Sequence, residues 1–379
     1  MKVSVLGYGT VGRGVREMIC GTEGLEPGPV LVLPEECTEP FMVTDIDSIL
    51  GDDSVDAVVE AIGGTEPAGS FAERVLLSGK HLVTSNKAMV AERGIELAGL
   101  ARERGKAFLF SAACGGGVPF LHNISAARGS DRILSMSGIL NGTTNYILDA
   151  MQSDGLSPKE ALEQARELGY AEADPTADLS GMDSYRKIVL ACAVAYGIQP
   201  YAAEEVEGIY GFTDADAQLI KLRGGEVRLI ARGGLNENGS VYSYVEPRVF
   251  FSGTEKEVRK NFNCASYVGE KAGLITMIGQ GAGRYPTASA VLRDLTGILN
   301  GITEMMPDGC RREKESNTPA ERYFVRCAKE SASAFSCSEI WYGDEEKICF
   351  VTAPIRVRDM HERVRELRKE GRSIFFASV

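Results

Sequence analysis

The sequence predicts an α/β protein whose first part is a doubly wound parallel sheet, followed by a mixed α+β region. Three observations predict it. A glycine-spaced turn, Gly7-x-Gly9-x-x-Gly12, follows a short β-rich run at the start of the chain and opens a helical stretch. Further β-rich runs then alternate with helical stretches up to residue 130, the pattern of parallel strands joined by crossover helices. From residue 131 this alternation gives way to helices and then to a series of strands. At roughly 150 residues per domain, 379 residues make two to three domains.

Residues 3–6 read as the first strand, and a helix runs from the glycine turn through Val15 and Met18. Residues 30–33, 57–62, 81–85 and 108–112 read as four more strands, with helices over 70–77 and 93–104. The first domain is expected to span residues 1–130. The second, 131–285, begins with a strand and continues with helices over 146–152, 158–168 and 183–196 and strands over 227–232, 241–249 and 274–278. An amphipathic helix over 287–302 is expected to return to the first domain, which residues 286–310 would complete. A polar linker over 308–318 leads to a small β-β-α-β appendage, residues 318–379.

With 41 basic and 53 acidic residues the net charge is −12, and 44% of residues are hydrophobic. That is the composition of a soluble globular protein, and the acidic balance argues against nucleic acid or anionic membrane as a partner. Nine cysteines are scattered without any CxxC spacing. Together with the absence of a signal-like start, this points to a reducing, cytoplasmic setting. The three histidines stand apart, so acid–base work would fall to Lys, Asp or Glu.

The glycine turn brings backbone N–H groups close to a pyrophosphate at the positive end of a helix, so a dinucleotide is the expected ligand. An acidic residue about 20 positions on would hydrogen-bond the ribose. Glu35 and Glu36 are the candidates, although the same pair reads equally as solvated loop residues. No arginine lies beside them in sequence, which favours NAD over NADP. A second cluster, residues 169–187, sets Glu172, Asp174, Asp178 and Asp183 before Lys187. Asp183 and Lys187 are spaced i, i+4 on one helix face, which by itself fits a surface pair. Lys187, however, enters the apolar run Ile188-Val189-Leu190, where a lysine could exchange a proton with a substrate hydroxyl while the carboxylates hold an ammonium group. Thr84-Ser85-Asn86-Lys87 lies at the carboxyl end of a parallel strand, where open α/β sheets bind ligands. Asn141-Gly142 reads as a turn, with Thr144 or Asn145 capping the helix that follows.

Taken together, these segments resemble homoserine dehydrogenases from residue 1 to about 302. The motifs are residues 7–12, 63–68, 84–88, 115–119, 141–148, 169–187, and Gly281-Ala282-Gly283 with residues 286–291. The resemblance implies a discontinuous Rossmann-type domain, a substrate-binding and dimerisation domain, and reversible NAD(P)-dependent reduction of L-aspartate 4-semialdehyde to L-homoserine. It implies Lys187 as the proton donor and acceptor and Lys87 as a second active-site lysine beside the nicotinamide. Glu172, Asp178 and Asp183 would hold the substrate, with Gly169 and Thr144 beside it. Gly7, Gly9, Thr10, Val11, Gly12, Glu35, Gly63, Asn86, Lys87 and Gly281 would line the cofactor.

The resemblance also implies a Na⁺ or K⁺ ion on the backbone carbonyls of Cys114, Gly116 and Val118, although Ser111 stands where the family usually has Glu. Residues 323–327 and 348–379 resemble a truncated regulatory ACT domain, from which weak effector binding at most is expected. A homodimer is the implied assembly. Two other readings share the cofactor site: a dehydrogenase acting on another amino-acid semialdehyde, and a non-catalytic nucleotide-binding regulator.

Overall fold

The computed structural model describes residues 1–201, 205–314 and 318–379. The chain divides into two compact units. The first comprises Met1–Ile133, Val189–Gln199 and Gly279–Arg312; the second comprises Leu134–Ile188, Pro200–Ile278 and Glu313–Val379.

The first unit holds a six-stranded sheet: β1 (Lys2–Leu6), β2 (Glu26–Leu31), β3 (Met42–Val43), β4 (Ala57–Glu60), β5 (His81–Thr84) and β6 (Phe108–Leu109). Their spatial order is β3-β2-β1-β4-β5-β6, and every neighbouring pair is parallel. This is the doubly wound order of dinucleotide-binding sheets, in which the chain reverses direction beside β1 and leaves a crevice at the strands' carboxyl ends. The strands are near-continuous apolar runs because helices cover both faces. Val3, Val5, Val58, Val59, Leu82 and Val83 are all buried. β2 starts four residues earlier than its sequence suggests, in spite of Pro27 and Pro29. Its Glu26 and Pro27 pair with Lys2 and Val3, and a register shift between Val3 and Val5 absorbs the irregularity. The helix Arg284–Leu299 belongs to this unit, with Ala288, Val291 and Leu295 buried.

The second unit is organised on a nine-stranded sheet. Its order is Gly273–Gln280, Phe262–Gly269, Ile133–Ile139, Glu226–Leu235, Val241–Phe250, Phe375–Ser378, Tyr323–Ala328, Lys347–Thr352, Cys337–Gly343. Strands Phe262–Gly269 and Cys337–Gly343 and the helix Asp214–Leu222 escaped the sequence reading. The first two carry Asn, Ser, Cys, Glu and Gly between their apolar residues, so pairing rather than pattern makes them strands.

The C-terminal residues are not the separate appendage expected from sequence. Phe375–Ser378 runs parallel to Val241–Phe250 on one side and antiparallel to Tyr323–Ala328 on the other, which merges the tail with the sheet of the middle region. Tyr242 and Tyr244 from that region share one core with Tyr323, Phe350, Met360 and Phe376 from the tail. Of the expected linker 308–318, Arg311–Lys314 is a strand, and residues 315–317 lie outside the described residues. Among the described residues no helix is long and apolar enough to cross a membrane, and all nine cysteines are free thiols.

Candidate active site

In the first unit the chain leaves β1 through Gly7 at φ +93° and enters the helix Thr10–Ile19, capped by Gly9. A Cβ on Gly12 would stand 2.1 Å from the Gly7 carbonyl oxygen, so only glycine lets helix and strand approach this closely. A Cβ on Gly9 would meet nothing within 4 Å, leaving the helix N-terminus open to an incoming anionic group. Beside this turn lies a cavity of about 550 Å³ between the carboxyl ends of β1, β2 and β4, lined by Gly7, Gly9, Leu33, Asp45, Ile62 and Phe71 among others. The open loop, the helix N-terminus and the mostly apolar walls fit an adenine dinucleotide.

Glu36 borders this cavity and also an adjoining one of about 520 Å³ that Arg13, Thr38 and Glu39 line. Glu35 lies on neither wall, so of the two glutamates Glu36 is the one that borders these cavities. Arg13, absent from the sequence neighbourhood of β2, arrives from the helix after the glycine turn. Its Nε donates to the Tyr8 carbonyl at 2.9 Å, and its guanidinium lies 5.3 Å from the Tyr8 ring centre.

At the ends of β4 and β5 a polar chain fixes the next segment. The buried Glu60 carboxylate accepts from the Ile62 and Gly63 N–H groups at 2.8 and 3.3 Å, and from the Thr84 hydroxyl at 2.5 Å. Thr84 Oγ1 accepts from Asn86 N. Asn86 Nδ2 donates to Gly64 O at 2.6 Å, while its Oδ1 caps the helix Lys87–Glu103 by accepting from Met89 N. Lys87 is thereby the first helical residue at the carboxyl edge of the sheet.

The turn after β6 passes through Ser111 to Gly115 and Gly116, at φ +87° and +51°. A Cβ on Gly116 would fall 2.4 Å from Gly281 O, which places Gly281 against this turn. Ser111 donates through its N–H and its hydroxyl, at 2.8 and 2.6 Å, to the two oxygens of Asp294. Asp294 is 2% exposed, and burial pushes its carboxyl up to about 7 against the opposing pull of Ser111 and Arg293.

In the second unit the helix Met182–Tyr196 starts immediately after Gly181, at φ +84°, in a bend where any Cβ would press on Val245 and the Glu207 carbonyl. One turn in, Lys187 Nζ lies 2.7 Å from Asp183 Oδ2 and donates to the Leu140 carbonyl at 2.6 Å. Both side chains are largely buried, at 12% and 6% exposure, so this is no surface pair. Asn141, next to Leu140, sends its Nδ2 to Asp178 Oδ1 at 2.7 Å and to Asp183 Oδ2 at 2.9 Å. Its Oδ1 accepts from Thr144 N and from the Thr144 hydroxyl, capping the helix Gly142–Ser153. A strand end, a helix start and the Asp183 carboxylate therefore converge on one largely buried lysine, with Asp178 tied to the same cluster through Asn141, an arrangement suited to moving a proton at a defined point.

Comparison with known proteins assigns both parts. Residues 7–111 match the NAD-binding domain of homoserine dehydrogenase, and residues 119–296 match the homoserine dehydrogenase family proper. The chain belongs to the homoserine dehydrogenase family. It is 33% identical over 366 residues to the homoserine dehydrogenase of Bacillus subtilis, covering 89% of this chain and 83% of that one. The crystal structure of a homoserine dehydrogenase from Thiobacillus denitrificans superposes with a TM-score of 0.87 at 26% identity, over 100% of this chain and 97% of that chain. A hyperthermophilic archaeal homoserine dehydrogenase, solved in complex with NADPH, gives 0.68 at 25% identity, over 80% and 99%. The protein is thus an oxidoreductase that uses a nicotinamide cofactor to interconvert L-aspartate 4-semialdehyde and L-homoserine.

Of the residues singled out in sequence, the second unit links Lys187, Asp183, Asp178 and Thr144 through Asn141. Asp174 is used locally: in the turn before the short helix Thr176–Leu179 its Oδ1 accepts from Thr176 N and Oγ1, bonds that hold its carboxyl below its ordinary value. Glu172 lies exposed on the loop before that helix, and Gly169, at φ +74°, ends the helix Pro158–Glu167. Sequence reasoning missed Asn141 and the Leu140 carbonyl. It read Asn141 as a turn residue and had no signal for a main-chain acceptor. It also missed Asp294, whose partner Ser111 is 183 residues away.

Proposed function

We propose that Lys187 delivers the proton to the carbonyl oxygen of L-aspartate 4-semialdehyde and withdraws it from the hydroxyl of homoserine in the reverse direction. The observation that carries this reading is the seating of Lys187 Nζ between Asp183 Oδ2 and Leu140 O. A largely buried ammonium so held keeps its proton directional and away from bulk water. Asp178 and Asp183, with Glu172 on the adjoining loop, provide the negative charge that an α-ammonium group needs. Thr144 and Gly169 are read as lying beside that group, and Lys87 as the second lysine, beside the nicotinamide. The nicotinamide cofactor, when bound, supplies or accepts the hydride.

We read NAD as the preferred cofactor. Glu36 presents a carboxylate that suits a ribose 2′-hydroxyl and repels a 2′-phosphate, with Glu39 reinforcing that charge. Arg13, whose Nε donates to Tyr8 O, lines the same cavity, so a 2′-phosphate there would meet one cation against these two carboxylates. Gly115 and Gly116 give the turn two left-handed bends. Cys114, Gly116 and Val118 would hold a Na⁺ or K⁺ ion through their carbonyl oxygens, with the Ser111 hydroxyl occupied by Asp294. A homodimer through the edge of the second sheet suits the exposed Leu274 and Ile278 of Gly273–Gln280. Nine free thiols suit a reducing, cytoplasmic location.

The test follows absorbance of the reduced cofactor with L-homoserine at alkaline pH, with NAD and NADP in parallel, for native protein and Lys187→Ala. A loss on the order of 10²- to 10⁴-fold in kcat is expected for removal of a positioned general acid–base group. Native activity in the variant would remove Lys187 from that role.

A further inference from the structure

We propose that Asn141 is the positioning residue of the proton-transfer site, one amide that holds Asp178 and Asp183 side by side and so fixes the height of Lys187. The inference rests on the reading of Lys187 given above and assigns a part to a residue that reading does not use.

The argument begins with charge. Two carboxylates within reach of one nitrogen repel each other, and an ammonium beside only one of them would be drawn off line as they separate. Asn141 prevents this with its two N–H bonds: one goes to Asp178 Oδ1, and the other to Asp183 Oδ2, the same oxygen that faces Lys187 Nζ. An amide is the one common short side chain that donates twice from one atom while its other atom accepts. The accepting atom is committed as well, to Thr144 N and Oγ1, so the side chain is locked at both ends. Asn141 is 5% exposed, and the bond from Lys187 to Leu140 O lies one peptide away. Any movement of Asn141 is therefore passed to both oxygens that grip the lysine. A residue serving only as a helix cap needs the acceptor and has no use for the donors, which makes the donor side the distinguishing feature.

The experiment separates the two ends of the amide. Asn141→Ser and Asn141→Asp both keep a good cap acceptor at the start of Gly142–Ser153 and both remove the two amide N–H donors, Ser leaving one shorter O–H and Asp none. Thermal unfolding confirms that each variant is folded, and Lys187→Ala runs alongside. The expected result is a kcat on the order of ten- to a hundredfold lower in both Asn141 variants, the size of a lost hydrogen bond to a charged group. The KM for homoserine should rise alongside, since Asp178 and Asp183 are read as holding its ammonium group, and the solvent deuterium isotope effect on kcat should rise as proton transfer becomes slower than the other steps. Native kcat and isotope effect in both variants, with Lys187→Ala inactive, would leave Asn141 a cap alone and overturn the proposal while sparing Lys187. A rise confined to KM would overturn it too, by placing Asn141 in substrate binding. Activity surviving in Lys187→Ala would sink the underlying reading instead.

Discussion

Replacing Asp294 by Asn should make the protein more stable at alkaline pH, with a gain that shrinks steadily as pH falls towards 4. In the folded state burial holds the Asp294 carboxyl at about 7, against 3.8 ordinarily. Between those two values the folded chain keeps a proton that the unfolded chain has released, so stability falls as pH rises through the window and levels off above it. Each pK unit is worth about 1.4 kcal/mol, so the full displacement costs about 4 kcal/mol once the carboxylate is ionised, and about 3 kcal/mol of that is incurred between pH 5 and pH 9. The groups that oppose the shift are the Ser111 N–H and hydroxyl and the Arg293 guanidinium, the same cation that, together with burial, lowers His122. Asn can take the place of Asp294 because its Oδ1 accepts from Ser111 N while the Ser111 hydroxyl turns to accept from Nδ2. Urea unfolding of both proteins from pH 5 to pH 9 measures the effect, and titrations common to both cancel in the difference. A stability difference independent of pH would refute the reasoning, for it would mean that Asp294 is ionised throughout or titrates alike in folded and unfolded chains.

Other perturbations test the remaining contacts. Gly12→Ala must displace the Gly7 carbonyl from 2.1 Å, and it should abolish cofactor binding by calorimetry and cost more than about 2 kcal/mol of stability. Asn86→Ala loses both a helix cap and the bond to Gly64 O, with an expected cost of about 1–2 kcal/mol in thermal unfolding and weaker cofactor binding. Glu36→Gln should lower the ratio of kcat/KM with NAD to that with NADP by on the order of tenfold, and an unchanged ratio would place cofactor choice elsewhere. A chain cut before Thr318 loses Tyr323, Phe350 and Phe376 from a shared core, each worth about 2–3 kcal/mol of burial, and uncovers Tyr242 and Tyr244. Such a chain should be insoluble on expression; a soluble, cooperatively folding product would contradict the shared core.

How far the sequence carries differs from one element to the next. The glycine turn is legible because its requirement is local: spacing alone places Gly12 under the Gly7 carbonyl, and no distant residue changes that. The Asp183–Lys187 pair is legible for the same reason, since i, i+4 on a helix fixes proximity. Its burial was suggested only by the apolar run that follows, and what the lysine donates to was beyond reach, because Leu140 O is a main-chain atom 47 residues away. Glu35 and Glu36 looked equivalent in sequence, and a one-residue difference in direction after β2 decided which of them borders the cavity. The tail shows the opposite limit. Its own strands and helix were largely readable, yet their place was not, because a single strand edge between Val241–Phe250 and Tyr323–Ala328 makes them part of a larger sheet.

Local pattern thus sufficed for the parallel βα architecture, the dinucleotide turn and the acidic segment before Lys187, since periodicity, glycine spacing and i, i+4 neighbours act over a few residues. It took the packed fold to show that Asn141 joins two carboxylates, that Ser111 meets a buried Asp294 and that the C-terminal strands complete the second sheet. These contacts join residues tens to hundreds of positions apart, and hydrogen bonding and burial between such residues follow from the packing of whole elements, which no local pattern encodes.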